Sequence, residues 1–145
     1  MAPRVLISDK LSPAAVQIFA DRGVETVVKS GLDKDQLADI IGEFDGLAIR
    51  SATKVTAKLL ERAKQLKVVG RAGIGVDNVD LAAATAKGVI VMNTPYGNSI
   101  TTAEHAISLM LALARQIPAA DMSTQSGSGK RINSWASRSP ARRSA

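Results

Sequence analysis

The sequence predicts an α/β fold: a parallel sheet with helices packed on both faces. Three observations lead there. Five short apolar runs follow one another through the first two-thirds of the chain, each separated from the next by a stretch with helical spacing. No tight hairpin turn joins neighbouring runs, so the connections are crossovers rather than hairpins. The run Gly46-Leu47-Ala48-Ile49 is apolar on both sides, as a strand covered by helices on each face must be.

Taken in order, Arg4 to Ser8 reads as the first strand, and Ser12-Pro13 then opens a helix over about 13–22 with a cap and a proline in its first turn. Gly23 ends it. Val24 to Val28 alternates as the second strand, and Asp33 to Ile41 has Leu37, Ile40 and Ile41 on one side of a short helix. The third strand, 46–49, runs into Arg50-Ser51. Thr56 caps a helix reaching Ala63, and the apolar run 66–69 is the fourth strand. Asp80 to Lys87 is helical and stops at Gly88; Val89 to Met92 is the fifth strand. Thr101 to about Gln116 is the longest helix, with Ala103, Ile107, Met110, Leu111 and Ala114 spaced for burial. Right-handed crossovers assemble such strands into a flavodoxin-like layer, whose ligands bind beyond the carboxyl ends of the strands.

Composition narrows the chemistry. A chain of 145 residues with 46% apolar content can bury one ordinary core. It contains no cysteine and one histidine, which excludes disulfides and thiol chemistry and argues against a metal site. The first residues are already strand-like and show no leader pattern, which fits a cytoplasmic address. The net charge of +6 is uneven: all 13 acids lie before residue 126, whereas the last twenty residues hold Lys130, Arg131, Arg138, Arg142 and Arg143. A folded part that is near neutral speaks against nucleic-acid binding, and no apolar run is long enough to span a bilayer.

Three polar loops sit at the predicted carboxyl edge: Ser8-Asp9, Arg50 to Thr53, and Gly70 to Asn78. The last carries Gly70, Gly73 and Gly75 around Arg71. Glycines at this density allow positive φ and close approach, and exposed amides beside a guanidinium suit a carboxylate or phosphate. The spacing G-x-x-G-x-G differs from the dinucleotide fingerprint G-x-G-x-x-G. A tight turn with a solvated arginine fits the same residues.

The stretches Leu47 to Thr56, Val68 to Leu81 and Gly88 to Ser99, in this order and at these separations, resemble the D-isomer-specific 2-hydroxyacid dehydrogenases, and within them the members that oxidise 3-phosphoglycerate. The likeness runs from about Val5 to Gly127. It implies NAD-dependent oxidation of 3-phosphoglycerate to 3-phosphohydroxypyruvate, the opening step of serine synthesis. It also implies that Arg50 and Ser51 line the substrate pocket, and that Arg71, Ala72 and Gly73 hold the substrate's anionic groups. Ile74 falls where the family contacts the nicotinamide side of NAD. Asn78 and Asn98 are expected to give structural support. Family members are homo-oligomers. The family's acid/base histidine and its nucleotide-binding domain match nothing here; Glu104 and His105 are adjacent on a helix and cannot face each other as a pair.

The expected division is a substrate-binding domain over 1–98, an interdomain helix over 99–120 leading toward a nucleotide-binding domain absent from this sequence, and a disordered basic tail over 121–145. Within that tail, residues 128–145 can be encoded so that a shift of one nucleotide yields K-W-E-K-N-Q-F-M-G-V-E-I-T-G-K-T-L-G, which is similar to the family's continuation. They are therefore expected to be a frameshift product, and the chain a fragment inactive alone. The alternative is a non-catalytic binding module for a phosphorylated 2-hydroxy acid, or a partner of the full-length enzyme.

Overall fold

A computed structural model describes residues 2–128, so the proposed out-of-frame tract lies outside the described residues, apart from Ser128. The chain divides into two compact units, one running through Gly97 and the other beginning at Asn98.

The first unit holds five parallel strands: β1 (Arg4–Ile7), β2 (Glu25–Val28), β3 (Gly46–Ile49), β4 (Val68–Arg71) and β5 (Ile90–Met92). Their order in the sheet is β2-β1-β3-β4-β5, the flavodoxin-like arrangement expected from the crossovers. Between them lie α1 (Pro13–Asp21), α2 (Lys34–Ile40), a 3₁₀ turn over Ile41–Glu43, α3 (Ala57–Arg62) and α4 (Leu81–Ala86).

The helix starts are built locally. Ser12, Asp33, Thr56 and Asp80 each place a side-chain oxygen on an amide of the first turn, satisfying donors that no helical carbonyl can reach. At Asp33 the bond is reciprocated by Gln36, forming a capping box. Gly23 and Gly88 follow α1 and α4 with φ of 70° and 68°, a left-handed conformation that a Cβ would oppose.

Alternation along the strands sends side chains to two cores. Leu6, Leu47, Ile49 and Val69 pack with Leu37, Leu59, Leu60 and Ala84, the face covered by α2, α3 and α4. Val5, Ile7 and Ala48 pack with Val16 and Phe19, the face covered by α1. All four residues of β3 are buried, as its position at the centre of the sheet requires.

One strand is shifted along the chain from its expected place. The fourth strand is Val68–Arg71 rather than 66–69. Leu66 is buried, but burial precedes strand pairing here, and Ile49 pairs in register with Arg71. Arg71 is therefore the last residue of a strand, anchored in the sheet.

The second unit is helical, with α5 (Ser99–Ala114) and α6 (Ile117–Gln125). The expected single helix over 99–120 is broken at Gln116, whose φ of 51° is left-handed; Pro118 then sits in the first turn of α6. Residues 121–125, read from sequence as tail, are helical. The side of α5 spaced for burial is not buried: Ile107, Met110 and Leu111 are all more than half exposed. No described helix is long and apolar enough to cross a membrane.

Leu60 has no exposed surface, whereas Leu113 is 80% exposed. Leu60→Ala should cost about 2–5 kcal/mol through lost contacts and a residual cavity, and Leu113→Ala should stay within about 0.5 kcal/mol. Urea unfolding of both variants checks this; equal losses would contradict the burial pattern.

Candidate functional site

The carboxyl ends of β1, β3, β4 and β5 open at one edge of the sheet, and side chains tie their loops together. The hub is Asp9, just after β1. It is 6% exposed, and its Oδ2 accepts from the Arg50 amide at 2.6 Å and the Thr53 amide at 3.2 Å. Its Oδ1 accepts from the Thr53 hydroxyl at 2.7 Å, and that hydroxyl also meets Ser8 Oγ at 2.9 Å. Burial pushes the Asp9 carboxyl up. The Thr53 hydroxyl and the Arg50, Thr53 and Ala52 amides outweigh burial and hold it below the ordinary aspartate value. The carboxylate thus fixes the loop after β3 to the end of β1.

Asn78 holds the same loop from the other side. Its Nδ2 donates to the Arg50 carbonyl at 2.7 Å and the Thr53 carbonyl at 2.6 Å. The sequence reading assigned Asn78 support, and the geometry says what it supports: both backbone groups of Arg50 are held, its N–H by Asp9 and its C=O by Asn78. The Arg50 side chain is exposed and forms no ion pair among the described residues. Ser51 beside it is also exposed.

Arg71 is different. Its side chain is only 12% exposed and folds back over its own loop. Nη1 donates to Asp77 Oδ1 at 2.8 Å and to the Gly75 carbonyl. Nε is buried without a partner. The Arg71 hydrogen bond holds the Asp77 carboxyl below its ordinary value.

This corrects the sequence reading of the glycines. None of Gly70, Gly73 and Gly75 has positive φ; the loop needs space, not left-handed backbone. A Cβ on Gly75 would lie 2.8 Å from Asp77 Oδ1 and 3.1 Å from Arg71 Nη1, and one on Gly73 would lie 3.5 Å from Arg71 Nε. Gly75 is the one that makes room for the guanidinium and its partner, since 3.5 Å at Gly73 is an ordinary contact and nothing lies near Gly70.

The expected amide cradle also shifts. The Ala72 amide donates to the Ile49 carbonyl and the Gly73 amide to the Arg71 carbonyl, both at 2.9 Å. These two donors are therefore already engaged. Among the described residues no backbone carbonyl takes the amides of Ile74, Gly75 or Val76, which leaves those as the loop's available donors. Ile74 presents a side chain 44% exposed, and its carbonyl accepts from Asn93 Nδ2 at 2.7 Å. With Thr94 N donating to the Gly73 carbonyl at 3.0 Å, the turn after β5 braces the glycine loop.

Other expectations fall outside this edge. Asn98 precedes α5, but its side chain makes no capping bond. Glu104 and His105 are both exposed and share no hydrogen bond or ion pair among the described residues. No cluster of metal-ligating side chains occurs among them either. Asp9 was named by sequence only as part of a polar loop at this edge, and Asp77 and Asn93 were given no role. Asp9 carried a signal in being a lone acid directly after a strand; the other two show their partners only in three dimensions.

The arrangement has the chemistry to hold an anion: an exposed arginine follows β3, a nearly enclosed one ends β4, and unpaired amides come after it.

The chain matches the family described as D-isomer specific 2-hydroxyacid dehydrogenase, catalytic domain, over residues 5–141. That match runs beyond Gly127, where the sequence reading ended the likeness. A D-3-phosphoglycerate dehydrogenase of Sus scrofa is 52% identical over 128 residues, covering 88% of this chain and 24% of that protein. Among solved structures, a protein of Pyrococcus horikoshii superposes with a TM-score of 0.80 at 30% identity, over 90% of this chain and 39% of that one. The NAD+-bound 3-phosphoglycerate dehydrogenase of Entamoeba histolytica gives a TM-score of 0.69 at 25% identity, over 79% of this chain and 40% of that one. The chain spans about a quarter of the length of the curated relatives it matches.

Because the folded Asp9 loses its proton more readily than an unfolded one, it stabilises the protein above the unfolded pKa of about 3.9. That stabilisation is lost as pH falls through the lower, folded value. Asp9→Asn can keep an acceptor in place but cannot titrate. The stability gap between wild type and Asp9→Asn should be widest near neutral pH and close below about pH 4. Unfolding curves across pH 7 to 3 measure it; a gap constant with pH would mean that folding does not shift the Asp9 carboxyl.

Proposed function

The chain belongs to the D-isomer specific 2-hydroxyacid dehydrogenase family, and on that footing we propose that its carboxyl edge is the substrate-anion wall of an oxidoreductase acting on 3-phosphoglycerate with NAD. The observation that carries the proposal is Arg71: a guanidinium 12% exposed, ending a central strand, directly beside the strand that delivers Arg50. 3-Phosphoglycerate has a carboxylate and a phosphoryl group, and two arginines on adjacent strand ends match two anions. The names of the curated relatives point to the same substrate.

In this reading Arg50 and Ser51 form the exposed side of the pocket. Arg71 supplies the directional charge, and Ala72 and Gly73 carry the backbone from Arg71 to the amides of Ile74, Gly75 and Val76. The reaction is oxidation of the hydroxyl to a ketone, giving 3-phosphohydroxypyruvate, the opening step of serine synthesis. NAD, when bound, accepts the hydride. Toward it this chain offers the Ile74 side chain, which suits packing against a flat ring and can form no hydrogen bond. Proton transfer needs an acid/base group near the hydroxyl, and the described residues place no histidine at this edge; His105, the one histidine in the sequence, lies on α5. They also contain no G-x-G-x-x-G. Binding without turnover is therefore the expected behaviour of this chain alone. Association with further copies of itself and a cytoplasmic setting belong to the same proposal. The exposed apolar residues of α5, Leu109 and Leu113 among them, support the first, and the absence of cysteine fits the second.

Titration of the isotopically labelled chain with 3-phosphoglycerate, followed at the amides of residues 71–76, tests the reading. A dissociation constant near 1 mM, about −4 kcal/mol, is expected for an open one-walled cleft. Arg71→Ala should remove most of the binding. Arg71→Lys should restore little, because an ammonium cannot reproduce the planar fork. Equal shifts in wild type and Arg71→Ala would reduce the loop to a turn.

A further inference from the structure

We infer that Asp77 is a built-in competitor for the anion site: it occupies Arg71 when no ligand is bound, and an incoming carboxylate or phosphoryl group must displace it. The inference rests on the reading of Arg71 as the anion-holding residue.

The contact is asymmetric. Arg71 is 12% exposed and Asp77 is 83% exposed. The cation is held by its surroundings, whereas the anion reaches it from solvent and makes no other side-chain hydrogen bond. Apart from the guanidinium, the Asp77 carboxylate has only its own backbone amide as a partner, and that contact stays with it when it swings off Arg71.

The contact is also incomplete. Asp77 and the Gly75 carbonyl together take the two hydrogens of Nη1. Nε, a charged donor, is buried with no acceptor. An orphaned donor of this kind is unfavourable, more so on a charged group. A structural ion pair that filled the guanidinium would not leave one donor empty. A ligand oxyanion that turns the guanidinium can satisfy Nε and Nη2 together, the two-pronged arrangement that a single aspartate oxygen on Nη1 does not provide.

The loop is shaped for the exchange. A Cβ on Gly75 would lie 2.8 Å from Asp77 Oδ1 and 3.1 Å from Nη1, and one on Gly73 would lie 3.5 Å from Nε. Glycine at position 75 admits the resting contact, which a Cβ there would crowd from both partners. Asp77 follows the unpaired amides of residues 74–76 directly, so a ligand on those amides stands where it meets Asp77 as a like charge. Displacement, not joint binding, follows from that repulsion.

A residue that only orients Arg71 predicts the opposite sign: removing it would loosen the guanidinium and weaken binding. The sign therefore decides.

The experiment titrates the full chain with 3-phosphoglycerate and separately with inorganic phosphate, comparing wild type, Asp77→Asn, Arg71→Ala and the double variant. Asp77 is exposed, so Asp77→Asn leaves the core intact. The expected result is binding tighter by about two- to fivefold in Asp77→Asn for both probes, the range that an exposed ion pair is worth. In the Arg71→Ala background the same substitution should give no gain. Unchanged or weaker binding in Asp77→Asn, with binding lost in Arg71→Ala, overturns the competitor and leaves the anion site standing. A gain of equal size in the Arg71→Ala background overturns it too, because the effect would then be general charge. Binding retained in Arg71→Ala overturns the anion-site reading itself.

Discussion

The buried Asp9 carboxylate is the interaction on which the site depends. A parallel sheet brings every strand's carboxyl end to one edge, but it says nothing about the loops that follow. Asp9 accepts two amides and a hydroxyl from Arg50 and Thr53, so the loop after β3 is fixed to β1, its neighbour in the sheet. A carboxylate taken out of water needs such partners, and the loop's amides need an acceptor. Each requirement meets the other. Asn78 closes the arrangement from the loop after β4. The backbone of Arg50 is thereby held at both its polar groups while its side chain stays exposed.

Arg71 shows the opposite design. Its backbone is fixed by strand pairing with Ile49, and its side chain is enclosed by a loop in which a Cβ on Gly75 would crowd it. One arginine is therefore positioned by its loop and free at its tip, and the other is positioned by the sheet and held at its tip. In the proposed reading, two such groups on adjacent strands would give one exposed and one directional contact for a doubly charged ligand. The chain contributes this wall and spans about a quarter of its curated relatives.

Most of the fold was legible in the sequence because its signals are short-range. Ser12, Asp33, Thr56 and Asp80 cap helices within three residues of themselves, and Gly23 and Gly88 end helices by their own backbone geometry. The division of β1 between two cores, Leu6 on one face and Val5 and Ile7 on the other, follows from a two-residue period. The errors have physical causes. Leu66 is as buried as a strand residue, so apolar content set the fourth strand two residues early. The break at Gln116 arises from a left-handed residue that is not glycine, which no residue type announces. Gly73 and Gly75 suggested positive φ, but neither has it, and Gly75 serves a side chain folding over the loop. The engagement of the Ala72 and Gly73 amides depends on Ile49 and on the turn itself. Arg50 and Arg71 were legible as arginines at neighbouring strand ends because they follow two apolar runs. Asp9, at a separation of 41 residues from Arg50, was not legible as their anchor.

The central claim is that the loop after β3 is held ready for an anion by a buried carboxylate that touches no ligand. The direct measurement is the affinity of folded Asp9→Ala for 3-phosphoglycerate, with Arg50 and Arg71 both intact. Losing the anchor frees the Arg50 backbone, and binding should weaken by about tenfold or more, since ordering the loop would then oppose association. An Asp9→Ala protein that is folded and binds as tightly as wild type would contradict the account.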